Sequence, residues 1–342
     1  MSVAESGAGP GPNDAHREAP DTSILITGAT GFVMSNLARH LAERGHAVVA
    51  ADRLPPDALL RDFLSGLPGP VSFSEVDTTD AAAVRALVGA RAPERAVLGA
   101  AITSTPLETE RTRFLETVRV NVDGTLTVLD ALRAVGTGRV VVVSSTSVYG
   151  TRAGPSPIRE DDPKNPATLY ELTKWAGEAL ARRYAAVHGL DLAAVRLASP
   201  FGPFERDTGS RPLLSPMSRW ATAAVRGEPL RLAGPPTLAR DAIYVADVAG
   251  AIAAVLLAER LPHDVYNVGW GRTTTAEEAL AVLGRLVPGL RVEHRPEEPS
   301  PWSAVSRAPL DPGRLETDLG WRPQHDLESG LAAYLAWLRM IL

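Results

Sequence analysis

What most constrains the fold of this chain is the order of its apolar runs. Short β-rich stretches at 23–28, 47–52, 71–77, 95–101, 139–145 and 191–197 alternate with stretches of helical periodicity. The helical stretches run from Phe32 to Arg44, Asp80 to Val88, about Glu108 to Val135, and Leu169 to His188. Each is followed by a glycine (Gly45, Gly89, Gly136, Gly189), the residue that most readily ends a helix in a left-handed conformation. Strands alternating with helices predict an α/β fold whose parallel sheet is covered on both faces. The later chain reads differently. Residues 199–216 are rich in Pro, Gly and Ser and predict a loop excursion. Helices are then expected over 217–226, 248–258 and 327–342, with a strand-like run over 241–248 between the first two. Thr275 and Glu278 form a capping box ahead of one more helix.

With 342 residues the chain is long enough for two lobes, and its 45% apolar content is that of a globular protein. A net charge of −5 gives no basic footprint for nucleic acid. There are no cysteines, so disulfides, thiolate metal sites and a cysteine nucleophile are excluded. No metal site is expected. Residues 1–20, dominated by Gly, Pro, Ala and charge, lack the features of a signal peptide and are expected to be a disordered tail. No apolar run reaches membrane-spanning length, and a soluble, cytoplasmic protein is expected.

The first strand leads into GATGFVM. Gly28 permits a tight turn, and Gly31 lets a pyrophosphate approach the helix N-terminus, whose dipole and unpaired N–H groups attract anions. Met34 stands where a third glycine would pack helix against sheet. Gly99, in the fourth strand segment, is expected to leave room for it. Asp52 ends the second strand, where a carboxylate accepts both ribose hydroxyls of NAD. Arg53 beside it could pair with the 2′-phosphate of NADP, but Asp52 would repel that phosphate, so NAD is favoured.

Tyr170 and Lys174 stand four apart on a helix and share a face. An adjacent ammonium favours the phenolate, which takes a proton from a hydroxyl while the carbon gives up hydride. Upstream, SSTSVYG (144–150) ends the fifth strand in hydroxyls positioned to meet the same substrate oxygen.

Together with NVDGT (121–125), RDAIYVADV (240–248), YNVGWG (266–271) and LGWRP (319–323), these motifs resemble the extended short-chain dehydrogenases/reductases, the NAD-dependent sugar epimerases and dehydratases. The resemblance implies a Rossmann-type doubly wound parallel sheet with a smaller C-terminal substrate-binding lobe. The nucleotide domain would comprise 21–198 with 240–262 returning, and the lobe 199–239 with 263–342. The resemblance makes Ser145 the catalytic hydroxyl, Tyr170 the general acid/base and Lys174 the residue that holds the nicotinamide ribose and tunes Tyr170. It also implies cofactor contacts from Thr30, Phe32, Val33, Asp77, Thr78, Ala100, Ala101 and Asn121, the last also shaping the active-site helix, and substrate contacts from Thr103, Thr146, Ser147, Ser199 and Arg240. Arg206 and Arg211, in the loop excursion, are candidates to hold a phosphate or carboxylate.

Departures from the family pattern narrow the chemistry. Dehydratases that this chain resembles carry an Asp-Glu pair where Thr146 and Ser147 stand, and hydroxyls do not replace carboxylates as acids and bases near neutral pH. An epimerase acting through a keto intermediate is therefore favoured over a dehydratase. Ser199 replaces the diphosphate-binding Asn of many nucleotide-sugar enzymes, which leaves open a dehydrogenase of a free sugar or sugar acid. A non-catalytic NAD-binding regulator is disfavoured by the intact Ser145, Tyr170 and Lys174. Apolar stripes on the helices at 108–135 (Phe114, Leu115, Val118) and 169–188 (Leu172, Trp175, Ala179) are similar to the four-helix interface of family homodimers.

Overall fold

The computed structural model of the chain describes residues 23–103, 107–152, 154–299 and 306–342; the expected N-terminal tail lies outside them. In chain order the first half comprises β1 (Ile24–Thr27), α1 (Phe32–Ala42), β2 (Val48–Asp52), α2 (Ala58–Phe63), β3 (Val71–Glu75), α3 (Ala81–Arg91), β4 (Arg95–Leu98), α4 (Leu107–Val118), α5 (Thr125–Ala134), β5 (Val140–Ser145), α6 (Leu169–His188) and β6 (Leu192–Leu197). The second half comprises β7 (Ser199–Phe201), α7 (Pro216–Arg226), β8 (Leu230–Ala233), β9 (Ala239–Arg240), β10 (Ala242–Tyr244), α8 (Val245–Leu257), β11 (Val265–Val268), β12 (Thr274–Thr275), α9 (Ala276–Leu286), β13 (Val292–Arg295), α10 (Gly313–Leu319) and α11 (Leu327–Ile341).

Seven strands form one parallel sheet in the order β3-β2-β1-β4-β5-β6-β11. Alternate residues of each strand face opposite sides, so the inner strands are mostly apolar on both faces, whereas the edge strand β3 (VSFSE) is only half-buried. Ile24, Ile26, Val141 and Val143 join Leu37 and Leu41 of α1 and Val248 and Ile252 of α8 in one core. Leu25, Val140 and Val142 join Val84 and Val88 of α3, Leu129 and Leu132 of α5, and Ala181 and Ala185 of α6 in the other. The sheet is thus doubly wound, as the alternation implied. Smaller two-stranded pairings, β7 with β10, β9 with β12 and β8 with β13, lie outside it. Among the described residues no helix is long and apolar enough to cross a membrane.

Several boundaries differ from the sequence reading. β3 stops at Glu75 and β4 at Leu98, and the residues beyond them are irregular and border the cleft. α3 continues through Gly89 and ends at Ala92, whose φ of +40° supplies the left-handed terminus ahead of Pro93. The stretch 108–135 is one helical path interrupted by a π-helical turn, Arg119–Gly124. At that turn Asn121 faces inward and hydrogen-bonds both backbone groups of Ile102. The run 241–248 yields a three-residue strand before α8 begins at Val245. Val265–Val268, allotted to the smaller lobe, pairs with β6 and becomes the seventh strand.

Candidate active site

The C-terminal ends of the strands surround a cleft of about 510 Å³. Its floor is the turn from β1 into α1. Gly28 has φ of +73°, and a Cβ there would lie 2.7 Å from Ala100 Cα, so backbone packs against backbone. Gly31 donates its N–H to Gly28 O at 3.0 Å, and no side chain caps the helix it opens. The first amides of α1 therefore face the cleft with the positive end of the helix dipole, a site suited to a pyrophosphate. Met34 is accommodated by Gly99, as expected: a Cβ at Gly99 would fall 2.3 Å from Met34 Sδ.

Asp52 closes one end of this floor. Its Oδ2 accepts Thr30 N–H at 3.0 Å and its Oδ1 accepts Leu54 N–H at 3.1 Å, which aims the carboxylate across the turn while leaving lone pairs for a ribose diol. Arg53 is engaged elsewhere, donating to Ser210 Oγ at 3.1 Å and lying 3.5 Å from Glu116. Asp77 accepts from Thr79 N and Oγ1, and Asp77, Thr78, Ala100 and Ala101 line the same end. Thr30, Phe32 and Val33 border the cleft as well.

Asn121, expected to contact the cofactor, does not line the cleft. It is buried, with Oδ1 accepting from Ile102 N and Nδ2 donating to Ile102 O and Thr173 Oγ1. It fixes the cleft-lining Ile102 segment against α6 and has no face toward the cavity.

The other end of the cleft holds Tyr170, Lys174 and Ser145. α6 starts at a capping box, Thr168 with Glu171, which presents Tyr170 and Lys174 toward β5. Ser145 ends β5 and accepts Ser147 N–H at 3.2 Å, opening a short 3₁₀ turn that carries Thr146 and Ser147 along the wall. The Ser147 hydroxyl is buried with no partner among the described residues. Burial pushes the Tyr170 phenol above its ordinary range; the Ser145 hydroxyl, then Arg211 and Arg307, pull it back, against Glu171. Burial brings the Lys174 ammonium down to about 8, opposed by Glu178. Its Nζ donates to Val143 O. Tuning of Tyr170 was expected from Lys174; the cations that act on the phenol include Arg211 and Arg307.

Arg240, buried, donates to Ala239 O at 2.9 Å, and burial together with nearby Arg307 lowers it to about 10. Arg211 pairs with Glu205 at 2.7 Å, and Arg206 pairs with Asp57. Ser199 donates its backbone N–H to Asp241 O at 2.9 Å and borders the cleft, as do Thr103, Arg206, Arg211 and Arg240. Arg307 is absent from the sequence reading. It is brought in by hydrogen bonds of its extended segment to Ala239, and its Nη2 pairs with Glu171 at 3.0 Å. No periodicity marks it, since its place depends on a strand distant in sequence. Trp270 does not border the cleft: its Nε1 donates to His325 O and its ring lies 4.2 Å from Arg272 Cζ, a packing role.

A family model described as the NAD-dependent epimerase/dehydratase family matches residues 24–269. The chain belongs to this family. Such epimerase/dehydratases are NAD-dependent enzymes of the extended short-chain dehydrogenase/reductase type, as the motifs implied. The chain is 31% identical to a UDP-glucose 4-epimerase of Mycolicibacterium smegmatis, over 92% of its own length and 98% of the relative's. It is 30% identical to a dTDP-glucose 4,6-dehydratase of Streptomyces griseus, over 92% and 94%. Among solved structures, MoeE5 in complex with UDP-glucuronic acid and NAD superposes with a TM-score of 0.79 at 29% identity, over 94% and 100% of the two chains. The glycine turn, Asp52 and the uncapped start of α1 fit NAD by their own geometry.

Proposed function

We propose that this epimerase/dehydratase is an NAD-dependent epimerase of a nucleotide sugar. The observation that carries the choice is the inventory of acids. Among the described residues lining the cleft, the carboxylates are Asp52 and Asp77, both at the end opposite Tyr170, and there is no histidine. Elimination of water needs an additional acid and base beside the sugar, and Thr146 and Ser147 stand where they would be needed.

NAD, held by the glycine turn, Asp52 and Lys174, would supply reversible hydride acceptance at the sugar carbon. Tyr170 takes the proton of the sugar hydroxyl as the carbonyl forms and gives it back on reduction, with Ser145 holding the same oxygen. Lys174 holds the ribose and adds positive charge near the phenol. Arg240, whose pKa is lowered by burial and then by the neighbouring Arg307 but which keeps its charge near neutral pH, binds the diphosphate together with Arg307. The two lobes correspond to the nucleotide-binding part, 21–198 with 240–262, and the substrate-binding part, to which the seventh strand is an exception. A second reading, oxidation of a free sugar or sugar acid with exchangeable NAD, draws support from Ser199 in place of an amide. The exposed apolar residues of α4 and α6, Phe114, Leu115 and Leu172, support a homodimer.

The test is incubation of the purified enzyme and added NAD with UDP-glucose, UDP-glucuronate, dTDP-glucose or free glucuronate, with products resolved by NMR. A mixture of epimers without net NADH is expected. A 4-keto-6-deoxy product would refute the reading, and NADH accumulating on a free sugar acid would move it to the second. Tyr170→Phe should bind NAD normally and lower kcat by about 10²–10⁴.

A further inference from the structure

The segment between β7 and α7 crosses the cleft as well as lining it. Its root is held by packing: Phe204 has φ of +67°, and its buried ring lies 4.6 Å from that of Phe63 and 5.3 Å from that of Trp337. A bulky residue keeps such a conformation when its surroundings impose it. The buried Glu205 carboxylate clamps the two ends together, accepting from Arg211 Nη2 at 2.7 Å and from Ser215 N at 2.8 Å and Oγ at 2.7 Å.

From this base the tip reaches the opposite wall. Gly209 O accepts from Arg113 Nη1 at 2.6 Å. Ser210 O accepts from Thr103 N at 2.9 Å and Thr103 Oγ1 at 3.2 Å. Arg113 is itself fixed by a two-pronged pair with Glu116, both contacts at 2.7 Å. Asp207 shapes the tip by accepting Gly209 N–H at 2.7 Å. At the near side Arg211 Cζ lies 5.2 Å above the ring of Phe32, which opens α1. The segment therefore touches both sides of the crevice at the strand ends in which a dinucleotide lies.

We infer that residues 206–215 form a strap latched over the cofactor, with Arg113 as the latch, so that NAD remains bound through successive turnovers. This rests on the reading of the cleft as the NAD site. A dinucleotide beneath the strap leaves after the tip detaches from Arg113 and Thr103, so the latch acts on the dissociation rate and leaves the chemical step alone. Retention suits a reaction that returns its hydride, because the cofactor then ends each cycle as it began.

The enzyme loaded with NAD is mixed with excess isotopically labelled NAD, and exchange of the bound pool is followed by mass spectrometry. Arg113→Ala removes a charge-assisted bond and should exchange at least about tenfold faster than wild type, with kcat at saturating NAD unchanged. Asp207→Ala, on the strap itself, should act in the same direction and carries the test should Arg113→Ala fold poorly. Arg111→Ala, which alters a pair with Glu108 on the exposed side of the same helix, should exchange at the wild-type rate. Equal exchange in wild type and both latch variants, with NAD bound by all three, overturns the strap and leaves the NAD site standing. NAD binding by none of them overturns both.

Discussion

Met34 and Gly99 share one space. A side chain where the nucleotide turn ordinarily carries a glycine is matched by a glycine on the neighbouring strand segment, 2.5 Å from Met34 Cγ to where a Cβ would be. Gly99→Ala should cost about 1–3 kcal/mol by overpacking. In a Met34→Ala background, where the thioether is gone, the same change should cost at least about 1 kcal/mol less. Urea unfolding of the four proteins measures this coupling, and strictly additive costs would show that the two positions do not compete. The adjacent Gly28 has no such freedom, because its neighbour at 2.7 Å is backbone. Met34 in GATGFVM is thus a trade of volume between two elements, and the free amides that open α1 are untouched.

At the scale of elements, β5, β6 and α6 are tied by one buried pair. Glu178 accepts from Arg196 Nε at 3.0 Å and from Ser144 Oγ at 2.6 Å, and Arg196 also donates to Tyr149 Oη at 2.7 Å and Glu160 O at 2.9 Å. Glu178→Gln leaves the Arg196 charge buried against a neutral amide and should lower stability by about 3–5 kcal/mol. Replacing both residues by apolar ones of similar volume should cost less, and thermal and chemical denaturation compare the two; equal stability of Glu178→Gln and wild type would contradict the account. Neither residue belongs to a local motif that announces the pair, since they lie on different elements. What is legible in the sequence is local: the glycine turn, the cap at Thr275–Glu278, the alternation of apolar strands with helices, and Tyr170 with Lys174 on one helix face. What escapes is set by contacts across the chain. Arg307 reaches the cleft by pairing with Ala239, and Arg113 meets Gly209 from a helix nearly a hundred residues earlier.

At the scale of the whole molecule, the outer surface of α4 and α6 remains uncovered. Phe114 is 51% exposed, Leu115 67% and Leu172 47%, on two adjacent helices. Large apolar side chains clustered in this way mark an interaction surface, and the proposed homodimer would cover it. Light scattering should give twice the chain mass for wild type, and Leu115→Arg should shift the protein toward monomer; a monomeric wild type at micromolar concentration would rule the dimer out. The seventh strand carries a consequence for synthesis. β6 is finished at Leu197, but the partner for its outer edge, Val265–Val268, emerges roughly seventy residues later, several seconds at about 5–20 residues per second. Through that interval the nascent chain holds an apolar strand, LAAVRL, with one edge open to any passing β-segment. Closing that edge of the sheet therefore waits on synthesis of the later chain, and until β11 arrives β6 is protected only by what else covers it.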